Sequence, residues 1–95
     1  LEEYKNLPIV FGDQKNFKIL HENLKNIDFP IDQIKTFFLF ESKRWDIVTN
    51  SNQTIKLPIK NYLESLKNFM EIKGQANFEK YKIFDYRIVN QLILK

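Results

Sequence analysis

Few residues in this chain have the type and spacing for bond-making chemistry. The single histidine, His21, lies in a run whose apolar residues Phe17, Leu20, Leu24 and Ile27 repeat at helical spacing. It belongs at a helix surface or boundary. With no second histidine and no cysteine, His-Glu-x-x-His pairs, thiolate zinc sites and thiol catalysis are excluded, and no calcium-loop spacing appears. A Ser or Thr nucleophile would have only His21 as its base. The two glycines, Gly12 and Gly74, cannot build a phosphate-cradling loop. Neighbouring carboxylates such as Glu2 and Glu3 fall at a terminus. The expectation is a protein that is not an enzyme and takes no metal, organic cofactor or small-molecule substrate.

Charge excludes less. Fifteen basic and twelve acidic side chains leave a net +3 in 95 residues. The basic ones are thirteen Lys and two Arg, accompanied by ten Asn, twelve Ile and a single Ala. That bias is expected of an AT-rich genome, and the lysines are scattered rather than gathered into a phosphate-tracking patch. At 43% hydrophobic, with nine Phe, four Tyr and one Trp, residues 1–95 can bury one core, and two cores would each be too small. No apolar run approaches the roughly 20 residues of a membrane span. Leu1 is not an initiator Met, so the chain reads as an excised piece.

The elements that must position any functional residue follow from periodicity. Leu7-Pro8-Ile9-Val10-Phe11 is apolar and β-leaning, and Gly12-Asp13 ends it, with Asp13 as N-cap of a helix over 14–27. Phe29-Pro30 stops that helix. Strands are predicted at 34–41, 44–50 and 54–57, joined by Ser42-Lys43 and by Asn50-Ser51-Asn52-Gln53 into an antiparallel meander. A second amphipathic helix over 60–73 has Gly74 at its C′ position, with Phe69 and Met70 as core residues. Strands over 81–89 and 91–95 would turn at Asn90. The pattern predicts an α+β fold: a largely antiparallel sheet of five to six strands with both helices packed on one face.

Two binding readings follow. Phe37, Phe38, Phe40, Trp45 and Tyr86 lie on predicted strands, and aromatic sheets can stack single-stranded nucleic acid, although the basic-Gly-aromatic signature of such readers is missing. The other lies at the C-terminal strand, where Val89, Leu92, Ile93 and Leu94 form an apolar edge guarded only by Lys95. An unblunted edge invites strand addition by a partner, unless the strand sits inside the sheet or is covered by further chain.

Taken in order, Leu7-Pro8-Ile9 with Gly12, Arg44-Trp45-Asp46-Ile47, Ile55-Lys56-Leu57-Pro58 and Phe84-Asp85-Tyr86-Arg87 resemble the C-terminal β domain of the bacterial cell-division proteins FtsQ and DivIB. Lys-Leu-Pro and the Arg-Ile-Val-Asn-Gln-Leu ending are most similar to α-proteobacterial members. Tyr86 departs from the family's usual Leu, and Ile88 stands where some relatives have an aromatic. The resemblance implies a membrane helix and a POTRA domain upstream, at the periplasmic side of the inner membrane, at the septum. It implies a scaffold that binds FtsB- and FtsL-type partners by accepting a strand along its last strand. Arg87 matches the family's Arg that faces a partner carboxylate, although alternation also puts it on one face with Asp85. Lys43 and Arg44 match basic residues that would supply a second charged contact. Ile88, Gln91, Leu92, Ile93 and Leu94 would form the accepting edge, and Trp45 belongs to the core.

Overall fold

The computed structural model describes residues 8–75, 77–88 and 91–95. Along the chain run β1 (Ile9–Phe11), α1 (Gln14–Asn26), β2 (Ile34–Leu39), β3 (Trp45–Thr49), β4 (Thr54–Lys56), α2 (Tyr62–Ile72), β5 (Ile83–Asp85) and β6 (Ile93–Leu94). Short 3-10 turns, Ile31–Gln33 and Phe78–Lys80, lead into β2 and β5. The fold is α+β.

The strands form one sheet in chain order, β1 to β6. The expected antiparallel meander is there in β2, β3 and β4, and β5 pairs antiparallel with β6. The sheet as a whole is mixed, however, because β1 runs parallel to β2 and β4 parallel to β5. Each helix is a crossover that carries the chain back to a parallel neighbour, which no tight hairpin can do.

Local chemistry sets the helix ends. The Asp13 carboxylate accepts from the Asn16 backbone N–H at 2.8 Å and from its side-chain amide at 2.7 Å, closing the first turn of α1. At the other end Asp28 takes a left-handed conformation (φ 57°). The Phe29 N–H donates to the Leu24 carbonyl (3.0 Å) and the Asp28 N–H to that of Lys25 (3.1 Å), a Schellman ending that precedes Pro30. Gly74 plays no such part. No glycine has a positive φ, and α2 leaves through a turn in which the Gln75 N–H donates to the Ile72 carbonyl (3.0 Å).

The expected strand over 81–89 shrinks to β5. Its inner partner β4 ends at Lys56 ahead of Pro58, so after the Tyr86 N–H donates to the Lys56 carbonyl (2.9 Å) no ladder remains. The strand expected at 91–95 shortens to Ile93–Leu94. Lys95 still exchanges backbone hydrogen bonds with Ile83 (3.1 and 3.2 Å). The turn expected at Asn90 lies outside the described residues.

Register explains the core. Val10, Phe37, Ile47, Ile55, Phe84 and Leu94 are successive partners across all six strands. The four central ones are buried, as are Leu20 and Leu24 of α1 and Leu66 and Phe69 of α2 that pack over them. Full burial of one such side chain is worth about 1.5–3 kcal/mol. The helices lie side by side on that face: the Asn23 amide donates to the Tyr62 hydroxyl (2.7 Å), and the Phe29 and Phe69 rings stack at 6.4 Å. Trp45 is buried against Phe17 and Phe37, as expected.

Gly12 is required by a close approach, since a Cβ there would lie 2.8 Å from Leu39 Cβ and 3.3 Å from the Trp45 ring. Gly12→Ala is expected to cost about 1–3 kcal/mol, read as a lower denaturant midpoint. Gly74→Ala, whose Cβ would meet nothing within 4 Å, should leave the midpoint unchanged or slightly raised.

Candidate partner-binding face and edge

With both helices on one side, the other face of the sheet meets water. Its central row is Phe11, Phe38, Asp46, Lys56, Asp85 and Ile93, successive register partners from β1 to β6. The β1–β2 end is aromatic: the Phe11 and Phe38 rings lie 5.3 Å apart and Phe38 and Phe40 5.0 Å apart, all three exposed. The Arg44 guanidinium sits over the Phe40 ring at 4.5 Å and donates to the Asp46 carboxylate at 2.5 Å. From there the row alternates in sign through Asp46, Lys56 and Asp85, which places opposite charges directly across from one another.

The Asp85–Arg87 pair closes this face. Arg87 Nε donates to Asp85 Oδ1 (2.9 Å) and Nη2 to Oδ2 (2.6 Å), a bidentate fork, and the Arg87 backbone N–H adds a third bond to Oδ1 (3.0 Å). The Asp85 side chain is 6% exposed and that of Arg87 46%. The hydrogen bonds from Arg87 hold the Asp85 carboxyl at about 2, well below its ordinary 3.8. The same pairing raises Arg87. Arg44 precedes Asp46 and Arg87 follows Asp85, and β3 runs opposite to β5, so both arginines rise from the same end of the row.

At the C-terminal side, β6 has a strand on one flank only among the described residues. Ile83 and Lys95 exchange hydrogen bonds, so by antiparallel alternation Phe84 and Leu94 are the non-bonded pair. The Leu94 N–H and carbonyl therefore point off the outer edge. Those of Ile93 point inward to Asp85.

The residues expected to form the accepting edge divide. Ile93 and Leu94 lie in β6 and Leu92 just before it. Ile88 and Gln91 belong to no strand, and the Gln91 N–H donates to the Ile88 carbonyl (3.1 Å). Ile88, Gln91 and Leu92 instead line a groove of about 500 Å³ with Pro58, Asn61 and Tyr86 on the helix side. Burial raises the Tyr86 hydroxyl above its ordinary value, and that hydroxyl donates to the Asn68 Oδ1 (2.8 Å), tying β5 to α2. Lys43 is exposed at the β2–β3 turn with φ 70°, a left-handed residue whose backbone N–H donates to the Phe40 carbonyl (2.9 Å). Of the residues that organise the open face, Asp85 was read from sequence only as an in-strand pair with Arg87, and Asp46 and Lys56 were not read as site residues. Their signal was the alternation of charge with apolar residues in the strands.

Of the five aromatics weighed for nucleic acid, Phe37, Trp45 and Tyr86 are buried in the core and only Phe38 and Phe40 are exposed. Among the described residues no cluster of three His, Asp or Glu could hold a metal ion, and no helix is long and apolar enough to cross a membrane.

The described residues form an open mixed sheet backed by two crossover helices, with a charged outer face and a terminal strand paired on one flank. The family model described as cell division protein FtsQ/DivIB, C-terminal, matches residues 1–87, and the chain belongs to that family. Among curated proteins none matches the chain closely enough to count as a relative. The family acts in the bacterial divisome, so the role is in cell division. Neither the family nor the buried aromatics supports the nucleic-acid alternative.

Because the Asp85 carboxyl titrates lower in the folded chain than in the unfolded one, the stability it contributes is complete above the unfolded value. That stability is lost as pH falls from about 4 towards 2. The expected result is a denaturant midpoint that declines across this window, and a shallower decline in Asp85→Asn.

Proposed function

We propose that this domain is a non-enzymatic divisome scaffold that receives an FtsB- or FtsL-type partner as an added strand along the outer edge of β6. The observation that carries the reading is the outward N–H and carbonyl of Leu94 on a terminal strand with no neighbour among the described residues. Backbone hydrogen bonds at such an edge supply affinity, and side chains on alternate faces supply selectivity. On the helix side Leu92 and Leu94 would meet the partner, and on the open side Ile93 would.

Charge supports the same partner face. Arg87, half exposed, is suited to a partner carboxylate; Arg44 lies at the same end of the open face but is only 15% exposed over Phe40, and Lys43 adds a charge at the turn. Ile88 and Gln91 would flank the docked strand from the groove rather than pair with it. Family membership supports placing the parent protein at the septum, on the periplasmic side of the inner membrane, tethered by an upstream helix.

Proline scanning tests the edge. Leu94→Pro removes a donor that faces outward, so it should abolish binding of the organism's own FtsB-type extracytoplasmic segment while circular dichroism stays that of the parent. Ile93→Pro removes a donor of the domain's own ladder and should lower stability as well. Arg87→Glu should weaken the same complex, and an acid-to-base change in the partner should restore part of it. Leu94→Pro that folds and binds as the parent does would dismiss strand addition here.

A further inference from the structure

The Asp85–Arg87 fork is more than a local ion pair. Pairs between exposed side chains contribute about 0–1 kcal/mol, and withdrawing a carboxylate from water offsets most of what its pairing returns. Yet Asp85 is held in the sheet between β4 and β6, its side chain 6% exposed, and all the described hydrogen bonds to its carboxylate come from Arg87. Arg87 stands past the end of β5. Without Asp85 it would be a long, rotamer-rich side chain on a turn.

The fork takes Nε–H and one Nη2–H. It leaves the other Nη2 proton and both Nη1 protons along the far edge of a planar group that is half exposed. That free edge is a second bidentate face for a carboxylate. Its direction is set by a residue locked into the sheet register. On β3, Asp46 of the same row holds Arg44 by a single hydrogen bond from Nη1, with Lys56 between the two carboxylates.

From this geometry we infer that Asp85 is a positioning residue: it touches no partner itself and holds Arg87 with its free guanidinium edge aimed at a carboxylate of the docked partner. The inference deepens the strand-addition reading and rests on Arg87 being a partner contact. It also carries a sign. Were Asp85 only a neutralising neighbour competing with the partner's carboxylate, its removal would tighten binding. As a positioning residue, its removal weakens binding, because the partner must then order the side chain itself.

The test is a double-mutant cycle on the 95-residue chain, with the FtsB-type segment as probe. Asp85→Asn should weaken binding roughly two- to tenfold, the cost of immobilising one long side chain. In an Arg87→Ala background the same change should add nothing, a coupling that general loosening of the fold would not produce. Arg87→Lys, which keeps the charge and leaves Asp85 in place but has no fork, should bind as weakly as Arg87→Ala. In the free chain, ¹⁵N NMR should show an Arg87 Nε–H protected from exchange in the parent and unprotected in Asp85→Asn.

Tighter binding by Asp85→Asn, an equal loss with and without Arg87, full binding by Arg87→Lys, or an unprotected Nε–H in the parent would each overturn the inference. Binding that Leu94→Pro abolishes but Arg87→Ala leaves untouched would overturn it while sparing strand addition. A parent chain that fails to bind the segment would remove both.

Discussion

The rest of the structure depends on where two crossover helices are allowed to fall. β1 and β4 point the same way, and each is followed by a parallel neighbour displaced in the same direction across the sheet. Right-handed connections of that kind put both helices on the same face. One side of the sheet is then filled by Leu20, Leu24, Leu66 and Phe69 over the row from Phe37 to Phe84. The other side has no covering layer among the described residues and must be compatible with water there.

The open face meets that requirement in two ways. Over β3 to β5 it pairs its carboxylates, with Asp46, Lys56 and Asp85 alternating across the strands and an arginine folded onto each carboxylate, which leaves one positive charge in excess. Over β1 and β2 it keeps three exposed phenylalanines in mutual contact. The fork on Asp85 leaves Arg87 with unused donors on a half-exposed side chain. The edge differs in kind: its outward backbone groups pair with no strand among the described residues.

The composition leaves its mark on the backbone. Among the described residues five that are not glycine, Asp28, Lys43, Asn52, Asn61 and Asn77, hold left-handed conformations, and no glycine does. Asn and Asp tolerate that region because their short polar side chains bond locally. A chain rich in Asn can therefore make its turns without glycine. Expecting Gly74 to end α2 applied the usual preference to a sequence that gives that work to Asp28 at the end of α1.

Much of this was legible in the residues. The spacing of Phe17, Leu20, Leu24 and Ile27 and of Tyr62, Leu66, Phe69 and Met70 specified two helices and the faces they bury, because a 3.6-residue period leaves little choice. Asp13 declared its cap, the turns at Ser42-Lys43 and Asn50–Gln53 declared the meander, and the parity of Asp85 and Arg87 put them on one face. Strand direction was not legible, since a buried apolar run reads alike in parallel and antiparallel pairs. Nor were the lengths of β5 and β6, because a strand lasts only as long as its neighbour, and β4 stops at Lys56. Which amide of Ile93 or Leu94 faces outward depends on register with Ile83, a contact between distant positions that only the tertiary structure decides.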